Sequence, residues 1–178
     1  MGGAGAHTGV VTTGKSYLDV RRALLDLGID ERKARQLGLR LYKVGMSWPL
    51  EPRGAIEFAK DLEQIIVIEE KRGLVEDQLK SILYGRSSMP SIVGKTDELG
   101  STLFKVAGRL EASEIALQLS RRLREVEIDG ELRNRIERIK KIVENGAQES
   151  PAMIRTAYFC AGCPHNSSTT VPEGSRAL

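Results

Sequence analysis

The chain has 178 residues, 40% of them hydrophobic, 29% charged and only 4% aromatic. That is enough chain to bury one sizeable core, and the composition excludes a disordered tail or a collagen-like repeat. With 27 basic and 24 acidic side chains the net charge is +3, too balanced and too poor in aromatics for a nucleic-acid footprint, and no apolar run approaches the ~20 residues that cross a bilayer.

Residues 1–7 are glycine-rich and lack the basic-then-apolar order of a secretory signal, so they read as a flexible lead on a cytoplasmic protein. Gly9-Val10-Val11-Thr12-Thr13 is a short β-branched strand closed by Gly14. Ser16 then reads as an N-cap with Asp19 three residues on, and Tyr17, Val20, Leu24 and Leu27 recur at helical spacing until Gly28. A second strand is predicted over 39–44. Trp48-Pro49-Leu50-Glu51-Pro52 is a rigid loop, and Pro52 suits the first position of a helix that carries Ala55, Ile56, Ala59 and Leu62 on one face. Residues 64–70 give the strongest strand signal, because Ile65-Ile66-Val67-Ile68 fits a central parallel strand covered on both faces. Leu74, Val75, Gln78, Leu79, Ile82 and Leu83 predict another helix stopped at Gly85, and Ser91-Ile92-Val93-Gly94-Lys95 a last short strand. Strands alternating with helices mean an α/β fold, a mostly parallel sheet between two helical layers.

Past about residue 110 only helical spacing remains. Ile115, Leu119, Leu123 and Val126 make one stripe; Asp129 caps a second helix bearing Leu132, Ile136, Ile139 and Val143, which Asn145-Gly146 ends. Arginines, lysines and glutamates are interleaved on the other faces, the pattern of a solvated helical pair laced by salt bridges. From Ser150-Pro151 onward the chain is turn-rich and irregular.

Three features could carry chemistry. Cys160-Ala161-Gly162-Cys163 places two thiols where one turn can hold one metal or cluster iron. A structural zinc needs four ligands, and only His165 and distant His7 accompany the pair. A thioredoxin-like redox pair should sit between a strand and a helix, and that context is missing; ordinary free thiols are the other reading. Gly9 to Ser16 satisfies the phosphate-loop spacing G-x-x-x-x-G-K-[ST], ending in Lys15-Ser16, but Val10 and Val11 read as the strand itself rather than as a loop with free amides. Glu69 and Glu70 stand at the carboxyl end of the central strand, where open α/β sheets place ligands, with Lys71-Arg72 beside them. His7 has no evident chemical role.

Four ordered segments carry a resemblance. They are Thr12-Thr13-Gly14-Lys15-Ser16-Tyr17-Leu18-Asp19-Val20, Leu41-Tyr42-Lys43-Val44-Gly45-Met46-Ser47-Trp48-Pro49-Leu50-Glu51-Pro52, Val67-Ile68-Glu69-Glu70-Lys71-Arg72 and Phe159-Cys160-Ala161-Gly162-Cys163-Pro164-His165-Asn166. Together they resemble the indolepyruvate ferredoxin oxidoreductases, most of all the long fused form of bacteria.

The resemblance implies an enzyme that uses thiamine diphosphate and magnesium to decarboxylate an aryl 2-oxoacid oxidatively. Coenzyme A takes the acyl group, and electrons pass through a 4Fe-4S cluster to ferredoxin. It further implies a transketolase C-terminal-like domain over 8–105, a helical linker pair over 106–149, and the start of the diphosphate-binding domain over 150–178. Cys160 and Cys163 would be two of four cluster ligands, and the whole enzyme a homo-oligomer. The chain is then expected to be an internal fragment, inert without the remaining domains. Two alternatives stay open, a docking module without catalysis and a small phosphate-loop nucleotide binder resting on Gly9 to Ser16.

Overall fold

The computed structural model describes residues 5–86, 88–124, 128–148 and 158–175. The chain divides into two units, residues 1–146 and 147–178, which are described separately. In the first unit the β-branched and aliphatic runs become four parallel strands, β1 (Thr8–Thr13), β2 (Leu39–Val44), β3 (Gln64–Ile68) and β4 (Ser91–Val93), in the spatial order β2-β1-β3-β4. Val10 lies opposite both Leu41 and Ile66, and Val11 opposite Tyr42 and Val67, so β1 is hydrogen-bonded along both edges. The sheet grows one way from β1 to β2 and the other way from β1 to β3. The point where growth reverses therefore falls between the carboxyl ends of β1 and β3.

Side-chain alternation along these strands feeds two cores. Val10, Ile66, Ile68 and Val93 face α1 (Gly14–Asp26) and α5 (Ala112–Ser120). Val11, Ile65 and Val67 face α3 (Pro52–Ala59) and α4 (Leu74–Leu83). The four-aliphatic run of β3 is thus buried alternately on both faces, the three-layer arrangement its composition predicted. Each such side chain, fully buried, contributes on the order of 1.5–3 kcal/mol.

The segment expected as a linker over 106–149 furnishes core side chains. Ile115 and Leu119 of α5, Leu123, and Leu132 and Ile139 of α6 (Gly130–Gln148) are buried in the same cluster as Val20, Ala23 and Leu24 of α1. Asp129 caps α6 as expected, accepting from the Leu132 amide at 2.9 Å. The lead also ends earlier than residue 7. Ala6 and His7 are buried, and the His7 amide donates to Gly38 while its carbonyl accepts from Glu63.

Several local features differ from the sequence-based expectation: α3 ends at Ala59, before Leu62, and α6 runs past Asn145-Gly146 to Gln148. Ser16 does not cap α1, because β1 runs directly into that helix through Gly14 (φ 51°) and leaves Ser16 buried in the first turn. A short helix, α2 (Glu31–Gln36), follows α1, capped by Asp30, which accepts from the Lys33 amide at 2.7 Å. Glu51 similarly caps α3, accepting from the amides of Arg53 and Gly54 at 2.9 and 2.6 Å. In the second unit the described residues form a turn at Cys160–Cys163 and the one-turn helix α7 (His165–Ser168). Among the described residues no helix is long and apolar enough to cross a membrane.

Candidate functional site

The point where the sheet reverses opens into a cleft of about 340 Å³ lined by Gly14, Lys15 and Ser16 from the start of α1, Ser47, and Glu69 to Arg72 after β3. The fold thus brings together Lys15, Ser16, Glu69 and Glu70, as expected for an open α/β sheet. Their bonding shows how each is used. Glu69 is buried at 4% exposure. Its carboxylate accepts from the Val75 amide at 2.9 and 3.2 Å and from the Glu76 amide at 3.0 Å, so it caps α4 rather than facing a ligand. Burial pushes its carboxyl above the usual range, opposed by those two amides and by the Lys95 ammonium. Burial likewise lowers Lys95, whose Nζ donates to the Glu69 carbonyl. Glu70 accepts from Lys15 at 3.3 Å, and Lys15 also donates to Asp19 at 2.5 Å, the bond that raises the lysine most.

Glu76 is a member of this group that sequence reasoning missed. It is buried on α4, accepting from the Lys95 amide at 2.8 Å and from Lys80 Nζ at 2.7 Å. Its position beside Val75 on a charged helix looks like a solvent position. The approach of Gly94 and of Gly73, where a Cβ would collide with the Glu76 carboxylate, puts it inside.

The phosphate-loop spacing does not make a phosphate loop. Residues 9–13 lie within β1, where the ladders to β2 and β3 take up the strand's amides. Gly9 is small for packing, since a Cβ there would meet Leu62 Cδ1 at 2.6 Å and the Phe58 ring at 2.9 Å. His7 lies at the opposite end of β1 from the cleft, its Nδ1 3.0 Å from Thr8 Oγ1.

In the second unit Cys160 and Cys163 share one turn, closed by a bond from the Cys163 amide to the Cys160 carbonyl at 3.0 Å. Gly162 sits within it at φ 79°. Asn166 Nδ2 donates to the same carbonyl at 3.1 Å, and Cys163 Sγ lies 3.3 Å from His165 Nδ1. Both thiols are free; Cys160 is exposed and Cys163 half-buried. Among the described residues no group of three His, Cys, Asp or Glu side chains is placed to hold a metal ion. A four-iron cluster takes four thiolates, so this turn offers half a donor set and does not complete a site.

A family described as "Indolepyruvate oxidoreductase domain" matches residues 1–146. The chain belongs to the indolepyruvate oxidoreductase family. Three archaeal relatives, each named "Indolepyruvate oxidoreductase subunit IorA", are similar to it. Those of Thermococcus kodakarensis and Pyrococcus abyssi are 28% identical over 166 residues, and that of Pyrococcus horikoshii 28% identical over 164. In each case the match covers 92% of this chain and 22% of the relative, so the chain spans about a fifth of the length of these family members. A solved structure described as "Split gene transketolase, inactive beta4 tetramer" superposes with a TM-score of 0.43 and 14% identity, over 66% of this chain and 38% of that one.

Proposed function

We propose that this chain is the non-catalytic α/β portion of an indolepyruvate-type oxidoreductase, and that Cys160 and Cys163 supply two of the four ligands of its 4Fe-4S cluster. The family match over residues 1–146 supports the oxidoreductase reading, and the two-cysteine turn, which lies outside that match, supports the ligand assignment. The internal use of the cleft side chains supports the non-catalytic reading, since Glu69 caps α4 and Glu70 holds Lys15. The complete enzyme oxidises indolepyruvate or a similar aryl 2-oxoacid to the acyl-CoA and passes electrons to a ferredoxin-type acceptor. Thiamine diphosphate with magnesium supplies the electron sink for the decarboxylation. This chain's own part is structural. The sheet packs against neighbouring domains of a cytoplasmic homo-oligomer, and the turn presents two sulfurs to the cluster.

The chain alone, given indolepyruvate, thiamine diphosphate, magnesium, coenzyme A and a viologen dye without oxygen, is expected to leave the dye oxidised. Dye reduction by the isolated chain overturns the non-catalytic reading. For the ligand assignment, the chain is grafted in place of the matching segment of the Thermococcus kodakarensis subunit, with and without Cys160→Ser and Cys163→Ser. Loss of cluster absorbance in the serine graft is expected; an unchanged spectrum removes both residues from the ligand set. Exposed Leu18 and Leu25 on α1 and Ile142 on α6 favour a second reading, a pure docking module. That module would assemble and work equally well with serines at both positions.

A further inference from the structure

We infer that Cys160 and Cys163 are also a thiol-exchange site for low-molecular-weight disulfides of the glutathione class, closing to an intrachain disulfide when no iron is bound. The inference stands on the turn rather than on the cluster reading. A bond from the Cys163 amide to the Cys160 carbonyl closes a four-residue turn, and Gly162 in its third position adopts a positive φ of 79° that costs glycine no strain. Turns of this kind hold their first and last Cα atoms within about 7 Å, which overlaps the roughly 4.4–6.8 Å separation of disulfide-bonded cysteines. The bond from Asn166 Nδ2 to the Cys160 carbonyl keeps the turn closed from outside. A turn of that size keeps the two cysteines within the reach of a disulfide.

The two sulfurs differ in access, which assigns their order. Cys160 is exposed, whereas Cys163 is half-buried with its sulfur against the His165 imidazole, on which the Phe159 ring stacks at 5.2 Å. Cys160 therefore meets the external disulfide first. Its sulfur bonds to one sulfur of that disulfide and expels the other as a thiol. The Cys163 sulfur then attacks the mixed disulfide at Cys160 and expels the second thiol. One external S–S bond breaks and one protein S–S bond forms. Two electrons pass from the protein sulfurs to the external disulfide, and the two protons leave with the released thiols. If the pair is also a cluster ligand set, the closed form offers no thiolate to iron, so loading requires the reduced chain.

The test is iron-free incubation of the full chain with oxidised glutathione, read by intact mass and by titration of free thiols. The wild type is expected to lose two hydrogens in mass and both titratable thiols, and dithiothreitol should restore both. Cys163→Ser is expected to stop at one stable glutathione adduct on Cys160. A wild type that retains two free thiols, or that accumulates two stable glutathione adducts, overturns the inference. Both cysteines lie outside the two core clusters, so circular dichroism of the variant is expected to match that of the wild type. Because this readout contains no iron, its failure is separate from failure of the ligand assignment by grafting.

Discussion

Removing the Glu69 carboxylate tests the view that this residue is a structural cap rather than a catalytic acid. Glu69→Ala leaves the amides of Val75 and Glu76 without their acceptor at the start of α4, in a region where Val75 and Glu76 are themselves buried. Loss of a helix cap costs about 0.5–2 kcal/mol, and stranding buried donors about 1–3 kcal/mol, so a destabilisation of roughly 2–3 kcal/mol is expected. For a chain of this size that lowers the midpoint of thermal unfolding by roughly 5–10 °C. Glu69→Gln retains an acceptor oxygen without the buried charge and should recover most of the loss at neutral pH. The pH dependence gives an independent readout. Burial holds the Glu69 carboxyl above the usual range, so the folded state binds its proton more readily than the unfolded state. Its contribution favours folding at low pH and is lost as pH rises through the folded-state value, and in Glu69→Gln that slope disappears. Unfolding by urea or heat from pH 4 upward measures both effects. An alanine variant within about 0.5 kcal/mol of wild type, the range of an ordinary surface substitution, would refute the capping argument.

Other substitutions probe the remaining assignments. Ile115→Ala, in the segment expected as a linker, is expected to destabilise the chain by about 2–5 kcal/mol because the side chain is wholly buried; urea unfolding near wild type would return α5 to the surface. Gly9→Ala should cost about 1–3 kcal/mol by forcing Leu62 and Phe58 apart. In the same thermal assay, millimolar magnesium-ATP should leave the wild-type midpoint unmoved, since a ligand bound only by the folded state must raise it. Arg122 grips Glu98 with two bonds of 2.8 and 2.9 Å and is the main reason its carboxyl titrates at about 2. Arg122→Ala should raise Glu98 towards the usual carboxylate range in an NMR titration, with the hydrogen bonds from its own backbone and from Ser91 still holding it down. The pair is half-exposed, so its contribution, present above the ordinary carboxylate value and lost as pH falls towards 2, stays below about 1 kcal/mol.

Legibility in the sequence followed how local each cause is. β1 and β3 were readable because consecutive aliphatics have no other economical burial, and the three-layer sheet followed from their alternation with helices. The helix α2 was not, since five of its six residues are polar or charged and only Ala34 is buried. Ser16 has the chemistry of a cap and the right spacing to Asp19. Nothing local shows that Gly14 lets the strand pass straight into the helix. Glu69 was visible as a carboxylate at a strand end, but its use depends on α4 folding back over it. The Cys160–Cys163 turn was legible as a pair because Gly162 and Asn166 act within seven residues, whereas the charged group of Glu69, Glu76 and Lys95 is assembled across three elements.

Of the four strands of this sheet, the inner strand β1 leaves the ribosome before the others. β1 finds its first partner, β2, about 31 residues later and its second, β3, about 56 residues later, the separations of the Thr13–Val44 and Thr8–Gln64 side-chain contacts. At synthesis rates of roughly 5–20 residues per second, β1 keeps one or both edges open for several seconds. A nascent chain halted anywhere before β3 therefore displays a β-branched strand with unpaired amides, the kind of edge that recruits other strands. Closure of this sheet is therefore a late, long-range event, complete only once residues 64–68 have followed β1 out of the exit tunnel.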